Sequence, residues 1–311
     1  MPGRCAIWAA CIGLLDFHSS PAHSESAPAH ELAITIDDLD LNVEDAPLLD
    51  PERRNEAILE ALRREKLQAA IFVCGMRVDT PRGKQHLLAW DRAGHLIGNH
   101  SYSHLNFPRV GFEKFSADVA RGEAVIADLP QFRKLFRFPF LKEGATREQR
   151  DQMRAFLAAR GYRQGYVTID TSDWAIDARL RKRLNADPKA DLRPYRRFYL
   201  EHVRERAAFY DRLASDVLHR PIRHTILLHH NLLNALFLPD LFALFESRGW
   251  QLIDASTAFA DPVFAESPDV VPAGESIIYA LAKQTGKFDG QLRYPAEDGA
   301  YEDPRMDALG L

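Results

Sequence analysis

Two short segments contain residue types that bind metal ions. Asp37 and Asp38 end an apolar run at residues 33–36, and His100 and His104 are separated by three residues. Adjacent carboxylates repel each other unless a cation or an arginine lies between them. Two imidazoles at this spacing can converge on one ion, and together with one carboxylate they leave coordination positions for water and substrate, as catalytic zinc sites require. The two segments therefore predict a divalent-metal site that activates water.

The acidic segment also has a second interpretation. Asp38-Leu39-Asp40 after an apolar strand resembles the nucleophile loop of aspartate-dependent phosphatases, in which the first aspartate is phosphorylated and magnesium is bound. Such an enzyme would depend on magnesium and would not need His100 or His104. A strand that ends in two acids is also common without any function, because acidic residues often begin turns.

Three later segments place more polar and aromatic residues after predicted strands: Arg137-Phe138-Pro139-Phe140, Asp170-Thr171-Ser172-Asp173-Trp174 and Ile226-Leu227-Leu228-His229. Hydrolysis of an amide needs an activated water, a stabilised oxyanion and a proton for the leaving group. Strand alternation turns His229 and His230 to opposite faces, and we assign the functional ring to His229. Each of these residues also has an alternative interpretation without function: Arg137 could be a surface ion-pair partner, and Trp174 and His229 could be core residues.

Short apolar runs alternate with helix-like stretches along most of the chain. The amphipathic run from Glu52 to Lys66 predicts a helix, and apolar residues recur at helical spacing between residues 175 and 224. We predict about seven strands, at residues 32–36, 69–74, 95–98, 135–138, 166–169, 225–228 and 250–253. This alternation favours an α/β fold with a parallel sheet, either a barrel or a doubly wound sheet, with functional residues at the carboxyl ends of the strands.

Composition and charge narrow the class of protein. The chain has 311 residues, of which 46% are hydrophobic and 27% are charged, so it can bury a large core. Its formal net charge of −4 argues against a nucleic-acid partner, since phosphate contacts normally need a basic surface. The sequence carries no signal for an oligomeric state.

The first residues predict a weak secretory signal peptide at 1–24. Arg4 precedes an apolar run at residues 5–15, and small and polar residues follow. The run is too short to span a membrane, so we expect a secreted or periplasmic protein, or a cytoplasmic one if the leader is not processed. Cys5 and Cys11 lie in this leader, which would leave Cys74 alone as a buried strand residue. An ordinary disordered N-terminus is the alternative.

The five segments, in this order, resemble the five motifs of the NodB-type polysaccharide deacetylases, also called carbohydrate esterase family four. The resemblance covers about residues 32–260. It implies a distorted, TIM-barrel-like (β/α) barrel of about seven parallel strands, with a groove across the strand ends. It also implies a divalent metal, most often zinc, although cobalt, iron and manganese suit the same ligands. The expected substrate is an N-acetylated or O-acetylated glycan or amino sugar.

The resemblance also gives a domain organisation. A catalytic domain is expected at residues 30–260, with a helical insertion at 175–224. A polar C-terminal extension at 261–311 follows, with a short helix from Glu275 to Lys283.

Position by position, the resemblance implies a role for each residue of the metal side of the site. Asp38, His100 and His104 would bind the metal, and Asp37 would be the general base that takes a proton from water. Arg137 would pair with Asp37 and keep it ionised and oriented, because its planar fork of donors suits a carboxylate.

The remaining roles concern the leaving group and the groove. His229 would be the general acid, and Asp173 would orient its ring and favour its protonated form. Phe140 would contribute its backbone N–H to the oxyanion site, and Trp174 would form a wall of the groove.

The sequence departs from the family pattern in two segments. Leu39 stands where many relatives have glycine, and Phe138 and Phe140 stand where proline and tyrosine are common. A glycan-binding module that keeps the fold without turnover is a further alternative, although such a protein would not need the complete set of acid, base and ligands.

Overall fold

The computed structural model describes residues 1, 3, 30–39, 47–290, 292 and 299–311. Most of the predicted leader, with Cys5 and Cys11, lies outside the described residues, as does Asp40. The strands are β1 (His30–Asp38), β2 (Ala70–Val73), β3 (Leu96–Asn99), β4 (Phe132–Phe136), β5 (Lys142–Gly144), β6 (Arg163–Gln164), β7 (Arg223–His229), β8 (Trp250–Leu252) and β9 (Ala273–Gly274).

Helices separate most of these strands. They are α1 (Pro51–Arg64), α2 (Gly75–Val78), α3 (Pro81–Arg92), α4 (Phe107–Val110), α5 (Phe112–Ile126), α6 (Arg147–Ala159), α7 (Asp173–Ala186), α8 (Arg193–Leu218), α9 (Leu232–Ser247), α10 (Ala255–Ala258), α11 (Ile277–Thr285) and α12 (Gly299–Ala308), with 3₁₀ turns at Pro139–Leu141 and Pro262–Ala265. None of the described helices is long and apolar enough to cross a membrane.

Within the described residues, the main sheet has seven strands in parallel pairing. Its order is β6-β4-β3-β2-β1-β7, and β8 pairs with the first residues of β1. β5 and β9 form a separate antiparallel pair. The predicted α/β fold with about seven parallel strands is therefore confirmed, and the predicted first helix from Glu52 to Lys66 corresponds to α1.

The predicted strand at residues 166–169 is wrong in its bounds, since β6 ends at Gln164 and an irregular segment follows. The N–H of Gly165 still donates to Phe136 of β4, whereas Ile169 bridges to Ile226 of β7. Between these points the hydroxyl of Thr168 donates to the carbonyl of Thr225 and accepts a hydrogen bond from the Thr225 N–H. These side-chain hydrogen bonds replace part of the backbone ladder. The regular ladder is thus open between β6 and β7, and this segment spans the gap.

The core lies between β1 and the helices around it. Residues 32–37 of β1 are all buried, as expected for a parallel strand covered on both faces. Helix α1 begins at Pro51, and its N-cap Asp50 accepts a hydrogen bond from the Arg53 N–H. Helix α9 begins directly after β7, where the Asn231 side chain accepts from the Asn234 N–H. This cap fixes the end of the strand that carries His229.

The inserted helices and the C-terminal residues pack into the same core. Helices α7 and α8 fill the region where we predicted one or two inserted helices. Ile277, Ile278 and Met306, from beyond residue 261, are buried in the main hydrophobic cluster. Where the structure describes it, the polar tail is therefore part of the folded body.

A buried polar cluster joins α12 to α8. The Arg206 guanidinium donates to Glu302 at 2.5 Å, and His202 Nδ1 lies 3.1 Å from the same carboxylate oxygen. All three side chains are fully buried. His202 Nε2 accepts from the backbone N–H of Ser172, so the cluster reaches the start of α7. The C-terminal helix is thereby connected to the start of α7, where Asp173 lies.

We expect Glu302→Gln to lower the free energy of unfolding by about 3–5 kcal/mol, because it removes the carboxylate that Arg206 donates to inside the core. Denaturant unfolding checks this. The control is Glu52→Gln, which removes the exposed partner of Arg82 and should cost less than about 1 kcal/mol. A loss no larger than that of the control would contradict a structural role for the buried pair.

Candidate active site

A cavity of about 390 Å³ lies at the carboxyl ends of the central strands. Its lining residues are Asp37, Asp38, His100, His104, Phe138, Phe140, Leu141, Lys142, Asp170, Thr171, Trp174, Leu227, His229 and Glu275. Arg137 and Asp173, the remaining residues predicted for the site, are buried behind this lining and contact it through Asp37 and His229. Residues far apart in the sequence are therefore brought to one place.

The parallel register explains this convergence. Asp37 at the end of β1 is aligned with His229 of β7, and Asp38 is aligned with Val73 of β2. The next strand ends at Asn99, so His100 begins the loop on the same edge of the sheet. Carboxyl ends of parallel strands open toward a common site.

One oxygen of Asp38 is the centre of a group of potential metal ligands. Its Oδ1 atom lies 3.7 Å from His104 Nε2, 3.9 Å from His100 Nε2 and 3.3 Å from Cys74 Sγ. One ligand atom from each of these four residues lies within 4.8 Å of all the others. Carboxylate, imidazole and thiolate are the usual zinc ligands, so the donor set fits a divalent metal.

The hydrogen bonds of His100 fix its tautomer. Its Nδ1 lies 2.8 Å from the backbone carbonyl of Arg137, and because a carbonyl only accepts, Nδ1 carries the proton. The Nε2 lone pair then faces Asp38, the arrangement that metal-binding histidines normally use. Burial lowers the pKa of His100 to about 4 despite the charge of Asp38, and burial likewise lowers the pKa of His104 to about 4. Both rings are therefore neutral and able to bind a metal.

Asp38 is ionised although it is half-buried. Burial by itself would raise its pKa, but opposing effects, of which the positive charge of Arg77 is the largest, hold the pKa well below the usual range. Arg77 lies 3.7 Å from Oδ2, whereas the histidines face Oδ1. Oδ1 is left facing the ligand group.

The backbone is strained where it presents the site. Asp38, Ser101, His104 and Phe140 have positive φ angles of 88°, 65°, 54° and 57°. Residues other than glycine rarely adopt positive φ angles, because each costs about 1–3 kcal/mol of strain. Such residues concentrate at functional sites. Leu39 is also left-handed, at φ 51°, a conformation that glycine adopts without strain.

Asp37 and Arg137 form a buried ion pair. Arg137 Nη1 donates to Asp37 Oδ1 at 2.6 Å, and its Nε donates to the carbonyl of Gly165 at 2.7 Å. The guanidinium lies 3.9 Å above the Phe72 ring, and a Cβ at Gly165 would come within 2.3 Å of that ring, so glycine is needed for this packing. Burial raises the pKa of Asp37, and Arg137 offsets only part of the increase. Asp37 is therefore a stronger base than an ordinary aspartate.

His229 and Asp173 form a second buried pair. His229 Nδ1 donates to Asp173 Oδ1 at 2.7 Å. The other carboxylate oxygen accepts from the His229 N–H and from the side-chain amides of Asn231 and Asn234 at 2.7–2.9 Å. Burial alone would lower the pKa of His229, but Asp173 outweighs it and raises the pKa to about 10. His229 therefore holds a proton at neutral pH, with Nε2 available to the cavity.

His230 points away from the cavity. Its Nε2 lies 3.1 Å from Asn55 Oδ1, and its ring packs 6.4 Å from Trp90 in the core. Of the two neighbouring histidines, His229 is the one that lines the cavity. The structure thus separates them as strand alternation requires.

Two aromatic side chains form exposed walls of the cavity. Phe140 is 53% exposed and Trp174 is 47% exposed, so neither is a core residue. The Phe140 ring meets the His104 ring edge to face, with centroids 4.5 Å apart. Gly299 at the start of α12 lies against the Trp174 indole. Exposed aromatic surface of this kind can stack against an apolar face of a ligand.

The sequence analysis missed three residues of this region. Cys74 was assigned only a buried position, although it follows β2 directly and therefore belongs to the same edge of the sheet as Asp38. Lys142 and Glu275 line the cavity and form an ion pair with each other. Their sequence neighbourhoods contain no motif that would predict a place in the site. The antiparallel pairing of β5 with β9 brings the two residues together in the fold.

The cavity has buried titratable groups beside a cluster of potential metal-ligand atoms, at the carboxyl ends of parallel strands. Sites of this kind are found in metal-dependent hydrolases. Residues 24–164 match the family model of polysaccharide deacetylases. The resemblance predicted from the sequence is confirmed over this part of the chain. The match includes Asp37, Asp38, His100, His104 and Arg137. Asp173 and His229 lie beyond it and are connected to the site by the contacts described above.

Comparison with curated proteins finds no match. Solved structures with a similar chain include a family 4 carbohydrate esterase from Streptomyces lividans in complex with acetate, with 19% identity, 73% of this chain and 93% of that chain covered, and a TM-score of 0.48. The peptidoglycan deacetylase PdaC from Bacillus subtilis has 22% identity, coverage of 74% and 89%, and a TM-score of 0.47. A CE4 family pseudoenzyme from Bacillus anthracis has 17% identity, coverage of 75% and 66%, and a TM-score of 0.49. Likeness of this degree does not extend to activity or substrate.

We expect Asp173→Asn to lower the pKa of His229 from about 10 toward that of an ordinary histidine, because the substitution removes the charge that raises it. An NMR titration of the imidazole in protein treated with a chelator measures this, and His229→Gln assigns the resonance. At neutral pH the parent ring should stay protonated, whereas the ring of the variant should lose its proton at a lower pH. An unchanged pKa in Asp173→Asn would show that this carboxylate does not control the ring.

Proposed function

We propose that this protein is a metal-dependent deacetylase that removes acetyl groups from N-acetylated or O-acetylated carbohydrate. The observation that carries the proposal is the presence, in one cavity, of a base paired with an arginine, an acid paired with an aspartate, and the metal-ligand group of Asp38. These are the parts that hydrolysis of an amide requires. The match of residues 24–164 to polysaccharide deacetylases supports the same reaction.

Asp38, His100 and His104 would hold the metal, with zinc as the first choice and cobalt, iron or manganese as alternatives. When bound, a divalent ion supplies Lewis acidity, which activates water and polarises the acetyl carbonyl. The three side chains need no change of protonation state to bind it, because both rings are neutral and Asp38 is ionised.

Asp37 would accept the proton of the attacking water. Its raised pKa favours proton uptake, and the bonds from Arg137 hold the carboxylate in one orientation. The Phe140 backbone N–H would face the oxyanion. This role uses the main chain, so the absence of a tyrosine hydroxyl at this position does not remove it.

His229 would give its proton to the leaving amine or alkoxide. Asp173 keeps the ring protonated in the resting state and fixes its direction through two bonds, to Nδ1 and to the backbone N–H. A leaving amine is strongly basic, so an acid with a high pKa still transfers its proton readily. The acid and base thus come from neighbouring strands aligned at Asp37 and His229.

The cavity volume of about 390 Å³ is within the range of small-molecule sites and is compatible with one or two sugar units between Phe140 and Trp174. The predicted leader would take the enzyme to the periplasm or out of the cell, where acetylated glycans are exposed. A phosphatase built on Asp38 and Asp40 would not account for the ligand atoms gathered around Asp38.

The test is release of acetate from a panel of acetylated amino-sugar oligomers and O-acetylated glycans. The zinc-loaded protein should release acetate, a chelator should abolish release, and zinc should restore it. His229→Gln should lower kcat about 10²–10⁴-fold, as expected for loss of a general acid.

His230→Gln is the matched control, since this neighbouring ring faces Asn55 and the core instead of the cavity. It should keep kcat near that of the parent even if it lowers stability. Activity that survives chelation, or an equal loss of kcat in both variants, would contradict the proposal. Bound zinc without acetate release from any substrate would favour a glycan-binding module.

A further inference from the structure

Cys74 belongs to the group of potential metal ligands, but the triad that the proposed function uses to hold the metal does not include it. It follows β2 directly, precedes α2, and is fully buried. We propose that the Cys74 thiolate is a fourth protein ligand, so that the metal is held by Asp38, Cys74, His100 and His104. The inference rests on the metal site of the proposed function and adds a ligand to it.

The distances around Asp38 Oδ1 support this role. At metal–ligand distances of about 2.0–2.3 Å, two ligand atoms of a tetrahedral zinc site lie about 3.3–3.6 Å apart. The thiol sulfur is 3.3 Å from Oδ1, closer than the two histidine nitrogens at 3.7 and 3.9 Å. The distance from Oδ1 to the thiol sulfur therefore fits a shared ion at least as well as the distances from Oδ1 to the two histidine nitrogens, and all four ligand atoms lie within 4.8 Å of one another.

The position of Cys74 follows from the sheet. Asp38 is paired with Val73, so the residue after Val73 lies beside the end of β1. On the other side, the His100 N–H donates to the Val73 carbonyl, which fixes the first histidine to the same strand end. The sulfur thus lies between the carboxylate and the histidine loop for reasons of backbone pairing.

The hydrogen bond of the thiol points to the same conclusion. Its S–H donates to Oδ1, the oxygen that faces both histidines and would bind the ion. An ion at this oxygen takes the place of the thiol proton, which leaves to solvent as the thiolate binds. The sulfur then exchanges a weak hydrogen bond for a metal–sulfur bond, which is much stronger.

A thiolate among the ligands has consequences for the metal. Soft sulfur favours zinc or cobalt and disfavours manganese and magnesium, which prefer oxygen. With four protein ligands, the water that the proposed function activates would have to bind as an additional ligand, by expansion of the coordination shell. We therefore expect this protein to be more selective for zinc and cobalt than a site of two histidines and one carboxylate.

Cobalt replacement in the full chain tests the inference, because a thiolate bound to Co²⁺ gives an intense charge-transfer absorption in the near ultraviolet. The parent protein should show this band together with the visible bands of the metal. Cys74→Ser should lose the ultraviolet band, keep the visible bands and bind cobalt at least about 10-fold more weakly. The matched control is Cys5→Ser/Cys11→Ser, which should keep the ultraviolet band.

X-ray absorption of the zinc-loaded parent gives an independent measurement that does not depend on folding of a variant. It should show one sulfur at about 2.3 Å from zinc. A zinc shell of nitrogen and oxygen alone, or an ultraviolet band that persists in Cys74→Ser, would overturn the inference while the metal site itself stands. If the parent binds no cobalt or zinc, or if Asp38→Ala binds as much as the parent, the metal site of the proposed function fails as well.

Discussion

The site depends on the burial of acidic groups at the end of β1. Asp37 and Asp38 follow an apolar strand covered on both faces, where two adjacent negative charges are costly. Each carboxylate has a cationic partner of its own: Arg137 donates to Asp37, and Arg77 lies 3.7 Å from Asp38. The proposed metal ion at Asp38 would add a further positive charge beside the two carboxylates.

Burial and pairing also distinguish the proposed acid, His229, from the proposed base, Asp37. Asp37 and His229 end neighbouring strands, and each has a buried partner of opposite charge. Burial raises the pKa of Asp37, whereas Asp173 raises the pKa of His229. Buried pairs of this kind are poor sources of stability, because desolvation cancels most of the attraction. Their value is orientation: each leaves one functional atom with a fixed direction toward the cavity.

Much of this could be predicted from the sequence, because strand ends carry the functional residues in a parallel sheet. Apolar runs located the strands that end at Asp38, His229 and Asn99, and the paired acids and histidines indicated a metal. The irregular segment after Gln164 could not be predicted, since its path depends on the Thr168 hydroxyl and on the close approach of Gly165 to Phe72.

Other features depend on contacts between distant parts of the chain. The polar composition of the tail gave no indication that Ile277, Ile278 and Met306 are buried. Their helices pack against α8 and α7, which lie far from them in the sequence. Cys74 was interpreted as an ordinary buried residue because a single cysteine carries no spacing pattern. Its relation to Asp38 comes from the register of β1 and β2, which a sequence pattern does not contain.

The most direct test of the central claim is a crystal structure of the zinc-loaded protein with an acetylated sugar or acetate, in which anomalous scattering locates the metal. The account predicts one zinc ion within about 2.0–2.3 Å of Asp38, His100 and His104, with Asp37 and His229 facing the acetyl group. A zinc ion at another place, or an acetyl group out of reach of Asp37 and His229, would contradict it.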